Sequence, residues 1–344
     1  MENRYKAIVN QKEVETHELR ECLDHEVLVK ILKVPINPID HFKINAPPEA
    51  LQSLPPCPGI GFDAVGVIVD SGKNVDTSLE NKRVAVYQTF FDPGYSGTWR
   101  QYLYCKPEEV YVLPSEIDDE SECYFMGNPL ATYGLYIQSE KHNAKAIIQN
   151  AACSSVGKML IRLCKKNGIP VINIVRSEFQ EKCLKELGAD NIFNSTSDTF
   201  IDDISETITT LGANVFIECV GDKSIKQIMN VMPLGSTVLF YGTLQPESLD
   251  ISSPDILFTM KTLTYFSTPG WLQSLTLEEK QRITEDIMKD FTEGAKVYGC
   301  KVAKSYPLSD LELALEEYPK YRSEGKLVIS MQEKDLIDLK ASIY

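Results

Sequence analysis

The sequence predicts a two-domain α/β protein in which a β-rich domain accompanies a doubly wound parallel sheet. Three observations support this fold class. The chain has 344 residues, more than one hydrophobic core usually organises. Short strand-like segments with Gly and Pro turns fill its first third, and from about residue 120 onward apolar strands alternate with amphipathic helices. The composition, 43% hydrophobic and 24% charged, is that of a folded globular protein.

The first domain, predicted for residues 1–118, is a compact, partly open β-barrel. Its strand-like segments are YKAIV, HEVLVKILKV, AVGVIV, RVAVY and YLYC, and the chain-breaking segments PINPID, PPCPG and FDPGYSG lie between them. Short strands separated by Gly and Pro turns are typical of small barrels. A late segment, KLVISM, is a further strand that the second domain leaves without a partner. Residues 270–344 are therefore expected to return to the first domain.

The second domain, predicted for residues 119–269, has six apolar strands. They are AIIQN (146–150), VINIV (171–175), NIFN (191–194), NVFIEC (214–219), STVLFY (236–241) and TLTYF (262–266). Amphipathic helical segments lie at 156–167, 179–187 and 224–232. Six strands with crossover helices match a doubly wound parallel sheet that binds a dinucleotide.

Charge and apolar patterning exclude several classes of protein. Asp and Glu outnumber Lys and Arg by 49 to 35, and the net charge of −14 opposes binding to nucleic acid. There is no run of 18 apolar residues, and the charged start MENRYKAIVNQKEVE does not resemble a secretory signal, so no membrane association is expected. Nine scattered cysteines without a CxxC pair indicate free thiols and a cytoplasmic location.

The segment AIIQNAACSSVG predicts a strand, a tight turn and a helix that together bind a pyrophosphate. Backbone N–H groups and the helix dipole would face the phosphates, and the two serines would add hydroxyl donors. Gly157 would allow close packing of the helix on the strand. Asn150 and either Ala152 or Cys153 stand where an ideal GxGxxG has glycine, so an ordinary strand–helix turn is the alternative.

The end of the next strand indicates which cofactor is bound. NAD sites place an Asp or Glu there, about 20 residues after the turn, to bind the ribose 2′-hydroxyl. Here VINIV is followed by Arg176, whose guanidinium can bind a 2′-phosphate through paired hydrogen bonds. NADPH is therefore the expected cofactor. A solvated surface arginine is the alternative, and Glu178 could partly neutralise the site.

The chain resembles the zinc-free quinone and enoyl reductases of the medium-chain dehydrogenase/reductase superfamily. The resemblance rests on GTWRQYLY, VYVLPSEI, GNPLATYGLY, IIQNAACSSVG, INIVRS, FIECVG, LFYGTL and PGWLQSL, and it extends from the NPID turn to the terminal GKLVI. It implies a Rossmann cofactor domain and a GroES-like catalytic domain. It also implies hydride transfer from NADPH to a quinone or an α,β-unsaturated carbonyl compound.

The resemblance further implies a set of cofactor-binding residues. Asn128 would face the nicotinamide, and Lys326 would approach from the C-terminal strand. Arg176 and Ser177 would hold the 2′-phosphate. The pyrophosphate turn would supply Cys153, Ser154, Ser155 and Val156. Tyr241, Gly242, Thr243 and Leu244 would border the nicotinamide ribose. Gly270, Trp271 and Leu272 would contact the nicotinamide through backbone groups. Tyr241 and Trp271 could instead be core aromatic residues, and Lys326 a solvated one.

The sequence predicts no metal centre. Related alcohol dehydrogenases bind zinc with a Cys, the His of a GHE motif and a distal Cys, and zinc requires three or four such ligands. This chain has NPID and GIGFDAVG at the first two positions and lacks the four-cysteine structural lobe. A substrate that accepts hydride without a metal must be conjugated, as quinones and enones are.

The proton donor stays open at this stage. Enoyl-thioester reductases, which the chain also resembles, carry a tyrosine after the NPxD turn, and here that position falls on Pro47 or Pro48. Asn37, Asp40 and Tyr133 are the candidates for contact with substrate. Three functions remain: reduction of a quinone or enone, reduction of an enoyl thioester with another acid, and NADPH binding without turnover in a sensor or structural protein.

The segment TLTYF (262–266) predicts a homodimer. As the last strand of the second sheet it would lie at the edge of that sheet. An edge strand rich in Thr and aromatic residues, without Lys or Pro, invites pairing with another chain. Relatives of this type pair that edge across a two-fold axis, which buries it once. The alternative is that residues 267–270 or the tail cover the edge.

Overall fold

The structure is a computed structural model that describes residues 4–9, 13–46, 59–89, 96–117, 124–245 and 249–331. Pro47 and Pro48 lie outside the described residues. The chain forms two compact units. The first comprises Met1–Gly127, Thr284–Ala295 and Gly299–Tyr344, and the second comprises Asn128–Ile283 and Lys296–Tyr298. Relative to the predicted limits, the described residues 124–127 group with the first unit, and residues 270–283 and 296–298 with the second.

The N-terminal part of the first unit consists of antiparallel strands. They are β1 (Arg4–Val9), β2 (Glu13–Glu18), β3 (Val27–Pro35), β4 (Asp63–Ser71), β5 (Arg83–Tyr87), β6 (Tyr102–Cys105) and β7 (Val110–Val112). Strand β1 pairs with β2, the order β3-β4-β5-β7 runs across the main sheet, and β6 pairs with β3. All five predicted strands are present. Strand β2 was not predicted because its sequence, EVETHE, is almost entirely exposed and lacks apolar alternation.

Helix α1 (Pro38–Asn45) shows that the interpretation of PINPID as chain-breaking was wrong. Asn37 is the N-cap, and its backbone N–H donates to the Asp40 carboxylate at 2.9 Å. Pro38 occupies the first helical position, where a missing N–H breaks no helical hydrogen bond. The segment is therefore a helix start with a reciprocal cap, which is a local reason for a helix to begin there.

The second unit contains a six-stranded parallel sheet. Helix α2 (Gly127–Lys141) precedes β8 (Ile147–Gln149), α3 (Ser155–Lys166), β9 (Val171–Val175), α4 (Glu178–Glu186), β10 (Ile192–Asn194), α5 (Phe200–Leu211), β11 (Val215–Glu218), α6 (Ser224–Val231), β12 (Thr237–Phe240), α7 (Ser253–Leu257), β13 (Thr262–Tyr265) and α8 (Thr268–Gln273). The strand order is β10-β9-β8-β11-β12-β13. All six predicted strands and all three predicted helices are confirmed.

The C-terminal part of the chain completes the first unit. It contains α9 (Leu277–Thr292), which the division between the units crosses, followed by β14 (Val302–Pro307), α10 (Leu311–Tyr321) and β15 (Lys326–Ser330). Strand β15 pairs parallel with β14 and antiparallel with β3. Strand β15 of the tail thus belongs to the sheet of the first unit. The core of this unit joins both ends of the chain, since Val29, Trp99 and Leu327 are buried in one cluster.

Candidate cofactor and substrate sites

The carboxyl ends of the parallel strands in the second unit meet at one edge of the sheet. Strand order reverses beside β8, because β9 lies on one side of it and β11 on the other. Open α/β sheets bind ligands at such a switch point, outside the carboxyl ends of the strands. The segments predicted to bind the cofactor follow β8, β9 and β12 and so reach this edge.

The turn between β8 and α3 has the geometry that a phosphate site requires. Ala151 adopts a left-handed conformation with φ of 46°, which turns the chain sharply. The Ser154 hydroxyl accepts from the backbone N–H of Gly157 at 3.1 Å and caps α3. A Cβ at Gly157 would lie 2.5 Å from the carbonyl oxygen of Ala152, so only glycine fits this approach of helix to turn. Ser155 and Val156, which follow the turn, are half-buried.

A buried hydrogen-bond network fixes the two strand ends at the switch point. The Asn150 side chain donates to the Glu218 carboxylate at 2.5 Å and accepts from the backbone N–H of Cys219 at 2.9 Å. The Glu218 carboxylate also accepts from the N–H groups of Val220 and Gly221 at 2.5 and 2.7 Å. Burial raises the pKa of Glu218, and these hydrogen bonds lower it. Sequence analysis missed Glu218, although a lone acid at the end of an apolar strand was the available signal.

The segment after β12 lies against the end of β11. The Tyr241 hydroxyl is beside the Cys219 thiol and the Ser154 hydroxyl, and burial raises its pKa well above the ordinary value. It is therefore a neutral donor at physiological pH. The backbone N–H of Leu244 donates to the Cys219 carbonyl at 2.9 Å. Gly242, Thr243 and Leu244 of this segment are exposed.

Arg176 follows β9 and is exposed. Its backbone N–H donates to the Gln180 side chain at 3.0 Å, and the next residue, Ser177, caps α4 by accepting from the N–H of Gln180 at 3.3 Å. Within the described ranges the guanidinium makes no hydrogen bond or ion pair. This cationic group is therefore available to an anion.

The residues predicted around the nicotinamide lie on α2 and α8. The backbone N–H groups of Gly270 and Trp271 donate to the hydroxyl and carbonyl of Ser267 at 3.4 and 2.8 Å, so both are taken up within α8. The Trp271 ring is buried and stacks on Tyr133 with the ring centroids 6.5 Å apart. Trp271 is thus a core aromatic residue, as the sequence left open. Half-buried positions are held by Asn128 and Leu272.

A second polar cluster lies wholly within the first unit, and we call its four members, Asn37, Asp40, Asp63 and Lys326, the buried cluster. All four side chains are at least nine-tenths buried. The Asn37 amide donates to the Asp63 carboxylate at 3.1 Å and accepts from the Lys326 ammonium group. The N–H of Gly127 donates to the other Asp63 oxygen at 2.7 Å. Lys326, expected at the nicotinamide, thus has its side chain bonded to a predicted substrate residue.

Protonation in the buried cluster is shifted by burial. Burial raises the pKa of Asp40 to about 7, and the nearby charge of Asp63 acts in the same direction, while Lys326 and Lys43 oppose it. One Asp40 oxygen, Oδ1, has no hydrogen-bond partner in the described part of the chain. Burial also raises the pKa of Asp63, against the charge of Lys326. Sequence analysis missed Asp63, which stands in the GIGFDAVG segment that was used only to argue against zinc.

Among the described residues no group of three or more His, Cys, Asp or Glu side chains could hold a metal ion. In the same ranges no helix is both long and apolar enough to cross a bilayer. Independence from zinc stays a prediction.

Comparison with known proteins identifies the class. Residues 23–115 match the alcohol dehydrogenase GroES-like domain, and residues 155–280 match the zinc-binding dehydrogenase domain. Together with the strand order, these matches confirm the predicted fold class of a Rossmann sheet and a GroES-like domain. The chain belongs to the medium-chain dehydrogenase/reductase superfamily.

Within that superfamily the chain is similar to reductases of two kinds. It is 25% identical over 304 residues to the mitochondrial enoyl-[acyl-carrier-protein] reductase of Arabidopsis thaliana, covering 86% of this chain and 78% of the relative. It is 25% identical over 317 residues to the quinone oxidoreductase of Lama guanicoe, covering 90% of each. A crystal structure from Mesorhizobium loti, to which NADPH:quinone reductase activity is ascribed, superposes with a TM-score of 0.82 at 23% identity, covering 96% of this chain and 99% of that one.

Proposed function

We propose that this protein transfers hydride from NADPH to a quinone or another α,β-unsaturated carbonyl compound, without zinc. Arg176 carries the proposal: it is an exposed guanidinium at the end of β9, and no described residue pairs with it. When bound, NADPH supplies the hydride from C4 of its nicotinamide. The protein's own residues then have to bind the phosphates, orient the ring and stabilise charge on the substrate oxygen.

The phosphate-binding part of the proposal rests on two features of the second unit. The glycine at 157 lets α3 approach the turn after β8, and the capped N-terminus of a helix favours anions through its N–H groups and dipole. Arg176 would hold the 2′-phosphate, with Ser177 beside it. A charged hydrogen bond of this kind contributes about 1.5–3 kcal/mol, or one to two orders of magnitude in affinity.

Titration of the protein with NADPH and NADH tests the choice of cofactor. We expect the wild type to prefer NADPH by about ten- to hundredfold, and Arg176→Ala to abolish most of that preference. Arg282→Ala, which removes an exposed arginine from α9, is the matched control and leaves the preference unchanged. Equal affinity of the wild type for both cofactors contradicts the proposal.

The buried cluster supports a reaction in which the substrate accepts hydride without a metal. Its carboxylates accept hydrogen bonds from the Asn37 amide and from the backbone N–H groups of Asn37 and Gly127. Conjugation in a quinone or enone moves the incoming charge onto oxygen, where hydrogen-bond donors can stabilise it. Asn37, Asp40 and Tyr133 remain the candidates for that role. Chelation is expected to leave activity intact, and an activity-linked zinc would contradict this.

A second function, reduction of an enoyl thioester, is favoured by one finding. Relatives named as mitochondrial enoyl-[acyl-carrier-protein] reductases match most of the chain. Against it stands the proline pair at 47–48, which cannot donate a proton from the position of the family tyrosine. An enoyl thioester would then need another acid, with Asp40 the candidate.

Oxidation of NADPH against a panel of acceptors distinguishes these functions. We expect turnover with quinones or small enones and little with enoyl-CoA thioesters. Faster turnover with the thioesters favours the second function. Binding of NADPH without turnover of any acceptor identifies a sensor or structural protein.

Homodimer formation is part of the proposal. Strand β13 lies at the edge of the parallel sheet, and among the described strands only β12 pairs with it. Nearby apolar side chains are strongly exposed: Tyr265 is 78%, Phe258 75% and Leu257 69% accessible. Exposed apolar side chains on an edge strand and in the segment before it favour pairing with a second copy.

Light scattering at micromolar concentration measures the assembly. We expect a mass near 77 kDa, twice the 38.7 kDa of the chain. Tyr265→Lys puts a charge on the edge strand and is expected to give the 38.7 kDa species. Leu277→Lys, which alters an equally exposed apolar side chain at the start of α9, is the control and leaves the dimer intact. A wild-type monomer contradicts the proposal.

We propose a cytoplasmic location as well. The seven described cysteines are free thiols, and reducing conditions in the cytoplasm keep thiols in that state. Cell fractionation tests this, and recovery of the protein with mitochondria contradicts it.

A further inference from the structure

Two cysteines of the second unit face each other beside the predicted phosphate turn. Cys153 belongs to the turn between β8 and α3, and Cys183 lies on α4. Cys153 is buried in a small cluster with Ala152 and Leu184, and Cys183 packs against that cluster. Both cysteines thus pack in one cluster, and the Cys183 thiol and the Lys158 ammonium group are close enough to act on the pKa of Cys153.

The pair joins the two segments that the proposed function assigns to the phosphates. Helix α4 begins at Glu178, directly after Arg176 and its capping neighbour Ser177. The turn that holds Cys153 contains the left-handed Ala151 and precedes the capped start of α3. A covalent bond between the thiols would therefore connect the pyrophosphate turn to the helix that positions the 2′-phosphate arginine.

We propose that Cys153 and Cys183 form a reversible disulfide on exposure to a peroxide, and that this bond lowers the affinity of the second unit for NADPH. The effect on affinity rests on the proposed function, whereas formation of the bond does not. A disulfide requires the sulfur atoms to approach to about 2.05 Å, and the two side chains already pack in the same cluster.

The chemistry has a defined order because the two thiols differ in accessibility. Cys183 is half-exposed, so its sulfur attacks the peroxide, forming a sulfenic acid and releasing water. The buried Cys153 then attacks that sulfur, the S–S bond forms and a second water leaves. Two thiols lose two electrons and two protons, and one peroxide is reduced to two waters. A dithiol reductant reverses the step by thiol–disulfide exchange.

The environment of Cys153 suits the second position in this order. Burial raises its pKa to about 12, so the thiol stays protonated and is a poor first nucleophile. The Lys158 ammonium group acts in the opposite direction and favours the thiolate. Once the neighbouring sulfur is a sulfenic acid, the hydrogen-bonded thiol is already in place to displace hydroxide, which takes up the thiol proton.

Thiol counting and mass spectrometry on the protein without cofactor test bond formation. After treatment with one equivalent of hydrogen peroxide, two of the nine cysteines are expected to become resistant to alkylation, with a mass loss of about 2 Da and a cross-linked peptide that contains Cys153 and Cys183. Dithiothreitol is expected to restore all nine thiols. Oxidation of Cys183 to a sulfinic acid without a cross-link, or a cross-link between other cysteines, overturns the proposal.

Matched variants keep this test interpretable. Cys183→Ser is expected to abolish the loss of two thiols, and Cys183→Ala gives the same result if serine perturbs α4. Cys22→Ser, which removes a half-exposed thiol from the first unit, leaves the cross-link unchanged. Persistence of a Cys153 cross-link in either Cys183 variant contradicts the assignment of the pair.

The affinity effect is measured separately by titration of the reduced and oxidised forms with NADPH. We expect the oxidised form to bind at least about fivefold more weakly, at the lower end of ordinary coupling between sites. Coupling is reciprocal, so saturating NADPH is expected to disfavour the disulfide by the same factor. Equal affinity of the two forms overturns the regulatory part, whereas failure of reduced wild type to bind NADPH contradicts the proposed function instead.

Discussion

The carboxyl edge of the parallel sheet and the buried cluster both gather polar groups, but they differ in what satisfies those groups. At the sheet edge the Arg176 guanidinium is exposed, and no described residue pairs with it. In the buried cluster Asn37 is hydrogen-bonded to both Asp63 and Lys326, and all three side chains are buried. An exposed charge is stabilised by water, whereas a buried charge depends on its neighbours and destabilises the fold when one of them is removed.

The largest expected effect comes from removing the cation of the buried cluster. Lys326→Met leaves two buried carboxyl groups without it, and we expect the free energy of unfolding to fall by about 3–5 kcal/mol. Adding Asp63→Asn to that variant is expected to recover much of the loss. Lys304→Met, which breaks a partly exposed ion pair with Glu317, is the control and costs about 0–1 kcal/mol. Chemical denaturation measures the unfolding free energy of all three variants. Equal losses for Lys326→Met and Lys304→Met would contradict the expected difference between a buried and a partly exposed cation.

The pH dependence of stability sharpens the same comparison. Because burial raises the pKa of Asp40 to about 7, the folded state holds a proton that the unfolded chain releases near its ordinary pKa. The stability contributed by this proton is complete below about pH 4 and is lost as the pH rises to about 7, a change on the order of 4 kcal/mol. Asp40→Asn is expected to reduce the dependence of the unfolding free energy on pH. Part of that dependence remains, because the pKa of Asp63 is also raised. A pH profile identical to that of the wild type contradicts the assignment.

A smaller effect is expected at the sheet edge from Gly157→Ala. The added Cβ would lie 2.5 Å from the Ala152 carbonyl oxygen, so α3 must shift, at a cost of about 1–3 kcal/mol. Affinity for NADPH is expected to fall about tenfold, because the shifted helix would lose about one hydrogen bond to the pyrophosphate. Gly188→Ala, at a left-handed position with φ of 75°, also costs stability but leaves NADPH affinity unchanged. Equal cofactor affinity in both variants would exclude α3 from the site.

The smallest expected effect comes from Ala151→Gly in the same turn. Glycine relieves the left-handed strain of about 1–2 kcal/mol but adds freedom to the unfolded chain, so a net gain of about 0.5–1 kcal/mol in stability is expected. Ala295→Gly is the matched control, because Ala295 has a similar φ of 51° in the first unit. Only the change at Ala151 is expected to alter NADPH binding, as isothermal titration would detect.

The sequence predicted the sheet better than the sites. Strands β8 to β13 are apolar and flanked by amphipathic helices, so their pattern is visible without tertiary information. The cap at Asn37 was also visible, but proline at the first helical position was interpreted as a breaker rather than a helix start.

The role of Lys326 could not be predicted from local sequence. Its partner, Asn37, is 289 positions away, and no periodicity links a lysine in a C-terminal strand to an asparagine before the first helix. The hydrogen bonds of Glu218 were missed for a related reason. They connect the ends of β8 and β11, which become neighbours only because the strand order reverses. Pairing between distant segments is a property of topology, and single-segment patterns do not contain it.

Strand β15 has a consequence for how the protein is made. Residues 326–330 pair with β3, about 290 positions earlier, so the sheet of the first unit is incomplete until these residues have left the ribosome. Most of the second unit is continuous, from Asn128 to Ile283, and can fold while synthesis proceeds. During that interval β3 exposes an unpaired edge and the buried cluster lacks its lysine. A chaperone that shields N-terminal strands until termination would therefore act on the first unit and not on the second.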